Sequence, residues 1–144
     1  MGVTIRVFEA RDTETVVAVW ESVGLTRPWN DPRQDIARKL RVQADWFLVG
    51  TLDERVIASA MAGYDGHRGW VNYLAVAPAH RGQRHAAALM AGVESLLLAA
   101  GCPKINLQVR AGNDEALAFY RRVGYAQDDV LSFGKRLIPD RPVG

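Results

Sequence analysis

Cysteine is nearly absent from this chain. One residue of 144, Cys102, carries a thiol, so neither an internal disulfide nor a multi-cysteine metal site can form. Cys102 precedes Pro103 at the end of an apolar stretch and reads as a small buried hydrophobe rather than a nucleophile. Apolar runs long enough to span a bilayer are missing too, and the opening MGVTIRVFEA holds no secretory apolar stretch. The chain begins Met-Gly, but Arg6 breaks the myristoylation pattern. The expectation is a cytoplasmic protein without a membrane partner. Charge of one sign is also lacking: 18 Lys and Arg against 16 Asp and Glu leave +2, and the basic residues are scattered, which argues against a nucleic-acid partner. No repeat, low-complexity tract or linker divides the chain. Its length suits one domain over residues 1–144.

What is present centres on Tyr73 to Leu98. Tyr73-Leu74-Ala75-Val76 reads as an apolar strand that Pro78 stops. A short basic loop follows, from Ala79 to His85, and then a run of Ala, Leu and Met, which are strong helix formers. A strand that turns through a Gly-containing loop into a helix presents unpaired N–H groups and a positive dipole end. Such a junction is a natural phosphate site.

The remaining elements are read from periodicity. Thr4 to Glu9 is a first strand, and Asp12 is placed to cap the helix after it, which carries Val16, Val19, Trp20 and Val23 on one face and stops at Gly24. Leu25 to Pro32 is a loop fixed by two prolines. Asp31 and Pro32 open the next helix, with Ile36, Leu40 and Ala44 inward and Asp35, Arg38, Lys39 and Arg41 as a solvated face. Trp46 to Thr51 and Val56 to Tyr64 make a hairpin. Trp70 to Val76 is the central strand, Lys104 to Arg110 a further one, Glu115 to Val123 an amphipathic helix, and Tyr125 onward a final strand or pair of strands. Pro139 to Gly144 reads as a frayed tail. The order is β-α-α-β-β-β-α-β-α-β, a mixed α/β class with a parallel crossover behind a hairpin-rich front.

Two separated motifs resemble one family, the GCN5-related N-acetyltransferases (GNAT). The first is Arg81-Gly82-Gln83-Arg84-His85-Ala86, similar to the family's pyrophosphate loop, with Arg84 where the family has glycine. The second is Asn113, Ala116, Tyr120, Gly124 and Tyr125 at the family's spacing. The segments RPWNDP, GYDGHRG and GCPKI resemble a bacterial YpeA-like subgroup.

The resemblance implies an acyl-CoA N-acyltransferase fold with splayed central strands. It implies transfer of an acetyl group from acetyl-CoA to a small-molecule or protein amine by direct attack in a ternary complex, with homodimers frequent. On this reading Arg81, Gly82, Gln83, Arg84, His85 and Ala86 hold the pyrophosphate. The N–H groups of Leu74 and Val76 hold the pantetheine arm and the thioester carbonyl, and Asn113 bonds the arm. Tyr120 is the general acid, because an unperturbed phenol stays protonated at neutral pH.

Each residue also has a plain structural reading: a basic loop capping a helix, Asn113 as N-cap, and Tyr120 as a core aromatic. Trp70 to Val76 offers no carboxylate as general base, which leaves Asp65, His67, Tyr73 or a held water. Trp29 and Asn30 lie where the family recognises its acceptor, and Asp65 and Tyr73 are further candidates for that role. His80 and His85 lack the spacing and carboxylate company of a metal pair, so no metal is expected. A non-catalytic acyl-CoA-binding module on the same fold stays open beside the enzyme. A nucleotide enzyme is disfavoured by the absence of a Gly-Lys-Ser/Thr phosphate run.

Overall fold

A computed structural model describes residues 2–140. Its elements are β1 (Thr4–Val7), α1 (Thr13–Ser22), α2 (Pro32–Lys39), β2 (Phe47–Leu52), β3 (Arg55–Tyr64), β4 (Gly69–Val76), α3 (His85–Ala99), β5 (Ile105–Leu107) and α4 (Asp114–Arg122). The five strands form one mixed sheet in sequence order, with β1 to β4 antiparallel and β4–β5 parallel. The β2–β3 connection is a two-residue turn with Asp53 and Glu54 both at positive φ. That backbone matches the right-handed twist of the strands it joins.

Sequence explains the two layers. The alanines of β3, Ala58, Ala60 and Ala62, let α3 approach closely, and Leu89, Met90, Val93 and Leu97 pack against them with Cys102. The opposite face receives α1 and α2 through Val16, Val17, Trp20 and Ile36 against Phe47, Val49 and Met61. Trp20 is fully buried, and its indole N–H donates to Ser59 Oγ at 2.8 Å, which satisfies the polar end of a large apolar side chain. Asp31 caps α2 by accepting from Arg33 N, with Pro32 at the first position.

Several sequence expectations need correction. Asp12 does not cap α1 with its side chain. Its carboxylate pairs with Arg6 at 2.8 Å and accepts from Glu9 N, because the chain bends through a 3-10 turn before the helix. The charged face of α2 is not simply solvated: Asp35, Arg38 and Lys39 have partners elsewhere in the chain, and Arg41 stays exposed. β5 ends at Leu107 rather than Arg110. No strand forms after Tyr125 among the described residues. There Val130, Leu131 and Phe133 stay exposed, and Lys104–Asp128 and Gln108–Ser132 side-chain contacts replace a backbone ladder beside β5. The tail is pinned at Asp140, whose carboxylate bonds Arg38, Arg136 and Asp31 N, whereas residues 141–144 lie outside the described range.

Candidate active site

β4 and β5 pair over three residues each and then separate. The ladder runs from Gly69–Ile105 to Val71–Leu107, and β4 continues to Val76 with no strand on that side among the described residues. The cause lies in β4 itself. Between the pairs Ser59–Ala75 and Met61–Asn72, β4 takes three steps where β3 takes two, and Tyr73 adopts φ +54. An extra residue of this kind is a bulge, which bends its strand away from a neighbour.

The amide directions follow from one bond. Ala77 N–H donates to Ile57 O at 2.7 Å. Strand amides alternate, so Ala75 N–H also turns toward β3, and the N–H groups of Leu74 and Val76 face the gap. A left-handed tyrosine costs about 1–3 kcal/mol and persists only where its surroundings hold it. Three contacts do so. The Tyr73 ring stacks on Trp20 at 3.8 Å and 15°. Its carbonyl accepts from Ser59 Oγ at 2.8 Å. Its hydroxyl donates to Asp35 Oδ2 at 2.6 Å. Burial and the Asp35 carboxylate push the Tyr73 phenol well above its ordinary pKa.

The separation opens a cleft of about 1640 Å³ that runs from the α1–α2 side to α4. Asn30, Asp35, Lys39, Tyr73 and Leu74 line it together with Val109, Asn113 and Tyr120. Asn113 caps α4 by accepting from Ala116 N at 3.1 Å through Oδ1, so both readings of this residue can hold at once. Tyr120 packs edge-on against Phe119 and Tyr125, with ring centroids 5.1 and 5.9 Å away. Burial pushes its phenol up to about 12. Tyr64, Tyr73 and Tyr125 each donate their hydroxyl to a protein acceptor. The Tyr120 hydroxyl has no such partner among the described residues and is free to serve something in the cleft.

Beyond Val76 the chain enters the basic loop. Gly82 has φ +75 and Arg84 φ +65. Arg84 thus occupies the conformation a glycine favours, although it carries a side chain. It is the N-cap of α3 but supplies no side-chain cap, which leaves first-turn amides of α3 available to an anion. His85 is buried and its Nε2 lies 3.0 Å from Gln83 Oε1, which ties loop to helix. Ala86 is half-buried in the same turn. Arg81 lies 3.9 Å from Glu115, joining the loop to α4.

Not every candidate converges. Asp65 and His67 sit in the β3–β4 turn, outside the cleft lining. The Asp65 carboxylate accepts from the amides of Arg68 and His67, both at 2.8 Å, and these bonds lower its pKa. Trp29 is 56% exposed and also outside the lining, whereas its neighbour Asn30 is within it. Val76 and the loop 81–86 lie further along β4 than the lining extends. Sequence reasoning missed Asp35 as a lining residue. Its one signal was position: it precedes the core residue Ile36, at the edge of the buried face. No group of three or more His, Cys, Asp or Glu side chains suited to a metal occurs among the described residues. No helix among them is long and apolar enough to cross a membrane.

Similarity to known proteins identifies the family and the fold. The model of the Acetyltransferase (GNAT) family matches residues 12–125. Acetyltransferase SG1711 of Sodalis glossinidius is 51% identical over 138 residues, covering 95% of this chain and 97% of its own. Acetyltransferase ECA0875 of Pectobacterium atrosepticum is 47% identical over 137 residues, with the same coverage. Among solved structures, Ard1 from Thermoplasma volcanium superposes with a TM-score of 0.79 at 27% identity, covering 88% of this chain and 84% of that one. AAC(6')-Iy, solved with a bisubstrate analogue, shares the fold at a TM-score of 0.76 and 17% identity, covering 95% and 100%. Between enzyme and non-catalytic module, these relatives decide for the enzyme: the chain belongs to the GNAT family and is an acetyltransferase.

Proposed function

We propose that the chain moves an acetyl group from acetyl-CoA to a primary amine by direct attack, with both substrates bound. The observation that carries this reading is the gap between β4 and β5, with strand amides on one wall and the uncommitted Tyr120 hydroxyl on the other. Two features fit the donor. An open strand edge suits the peptide-like amides of a pantetheine arm. Helix-start amides beside Gly82, Arg81 and Arg84 suit a pyrophosphate. The thioester supplies an activated acyl group.

The chain's own residues then divide the work. Leu74 and Val76 N–H groups are aimed into the gap before any substrate arrives, and one pre-aimed donor lowers an acyl-transfer barrier by about 2.7–4 kcal/mol. Asn113 keeps its NH2 group for the arm while its oxygen caps α4. Tyr120 holds its proton at neutral pH and gives it to the departing sulfur. Tyr73 is a poor base, because its phenol is held protonated against Asp35. Solvent in the cleft therefore receives the amine's proton. An amine acceptor is supported by neighbours of the same fold. One was solved with CoA-S-monomethyl-acetylneamine, and another is the ribosomal-protein-S18-alanine N-acetyltransferase of Escherichia coli.

The test is Tyr120→Phe, followed by thiol release from acetyl-CoA with an amine panel. Turnover should fall by about 100-fold or more while calorimetry still detects acetyl-CoA binding. Unchanged turnover, with the chemical step limiting, would remove the general acid from the account.

A further inference from the structure

Among the described residues two carboxylates line the cleft, Asp35 and Asp128, and Asp35 is the one set beside Tyr73, a strained residue. Asp35 Oδ2 accepts from the Tyr73 hydroxyl at 2.6 Å, and its Oδ1 lies 3.3 Å from Arg38 Nη1. A carboxylate has about four acceptor sites, so these two contacts leave it capacity. Of the nearby cations, Arg38 is shared between Asp35 and the shorter contact to Asp140, and the other two are engaged elsewhere. Arg38 Nη2 bonds Asp140 at 2.6 Å, Lys39 Nζ donates to Ala62 O, and Arg27 bonds Gly24 O and Thr26 O. Asp35 is 24% exposed at its side chain and faces the cleft.

Its place relative to the chemistry limits what it can recognise. The reacting nitrogen must come to the gap beside Leu74 and Val76 and must be uncharged to attack. A carboxylate beside it would hold it protonated. Asp35 instead lies at the far end of the Tyr73 side chain from the β4 backbone. It meets a group one tyrosine length away from the reacting centre.

We propose that Asp35, positioned by Tyr73, determines acceptor specificity by binding a second ammonium group, so that the preferred acceptors are aliphatic diamines. This rests on the amine-transfer reading above. Tyr73 acts as a positioning residue. Its hydroxyl fixes the carboxylate on the cleft side, and Trp20 and Ser59 fix the tyrosine.

The experiment measures kcat/KM for acetyl transfer from acetyl-CoA to 1,4-diaminobutane and 1,5-diaminopentane against butylamine and pentylamine, using the full chain. The diamines should exceed the monoamines by about tenfold, and Asp35→Asn should erase that ratio, chiefly through diamine KM. Tyr73→Phe should reduce the ratio with kcat largely retained. For the wild type, added salt should raise diamine KM more than monoamine KM, a result that needs no variant to fold. Diamines no better than monoamines, a ratio untouched by Asp35→Asn, or equal salt effects would overturn the inference. Acetyl-CoA binding by calorimetry without transfer to any of the four amines would overturn the diamine assignment alone. Absence of acetyl-CoA binding would overturn the transfer reading itself and the inference with it.

Discussion

Arg84 stands where the resembling family has glycine, and its backbone is left-handed at φ +65. That conformation costs a residue with a Cβ about 1–2 kcal/mol. Glycine removes the cost but gives the unfolded chain more freedom, worth roughly 0.5–1 kcal/mol in the other direction. The comparison that isolates strain is therefore Arg84→Gly against Arg84→Ala, since both remove the guanidinium. Glycine should be the more stable by about 0.5–1 kcal/mol. For a chain of this size that is about 1–4 °C in melting temperature. Arg84 is exposed, so no core contact confounds the reading. The assay is urea denaturation followed by circular dichroism, with calorimetry of acetyl-CoA on the same samples. If the guanidinium grips phosphate, both variants should bind about tenfold more weakly, as expected for a lost charge-assisted contact of about 1.5 kcal/mol. If the Cβ obstructs the loop instead, glycine alone should bind more tightly than wild type. Equal stability of the glycine and alanine variants would refute the strain argument.

Two further outcomes follow from the site and its supports. Asn113→Asp keeps an N-cap acceptor and should hold stability, whereas Asn113→Ala should lose about 1 kcal/mol in denaturation. If the amide NH2 serves the pantetheine arm, both should weaken acetyl-CoA binding, and full binding by the aspartate variant would exclude that role. Asp12 is buried and its pKa is lowered, first by the Arg6 hydrogen bond and then by the bond from Glu9 N. A depressed acid contributes stability above its unfolded pKa and loses it as pH falls through the folded value. Asp12→Asn should therefore cost about 1–2 kcal/mol at pH 7, with the gap to wild type closing below about pH 4. A gap that stays constant with pH would contradict the ion-pair account.

The sequence made the local grammar legible. Asp31-Pro32 opens α2, Asn113 caps α4, and the small residues of β3 mark where α3 lies. The loop and tyrosine motifs could be placed because each sits at a strand–helix or turn–helix junction that propensity alone predicts. What stayed hidden depends on tertiary partners. The exposed-looking Asp35 gains meaning only when β4 brings Tyr73 across the sheet to it. The bulge that creates the gap follows from register, which single-strand periodicity does not encode. Residues after Tyr125 include a strand-like stretch, yet Val130, Leu131 and Phe133 find no face to cover, so pattern without a partner forms no strand. Asp140 shows the converse, a tail residue buried because Arg38 and the Asp31 amide from the α2 region, with Arg136 of its own tail, converge on it.

The central claim is that the divergence of β4 from β5 is the donor site. The most direct measurement is a crystal structure of the full chain with acetyl-CoA bound. The account predicts the thioester carbonyl within hydrogen-bonding distance of an amide from Leu74 or Val76, the sulfur beside Tyr120 Oη, and the pyrophosphate against residues 81–86. Acetyl-CoA bound away from the gap, or bound there with its sulfur out of reach of Tyr120, would contradict it.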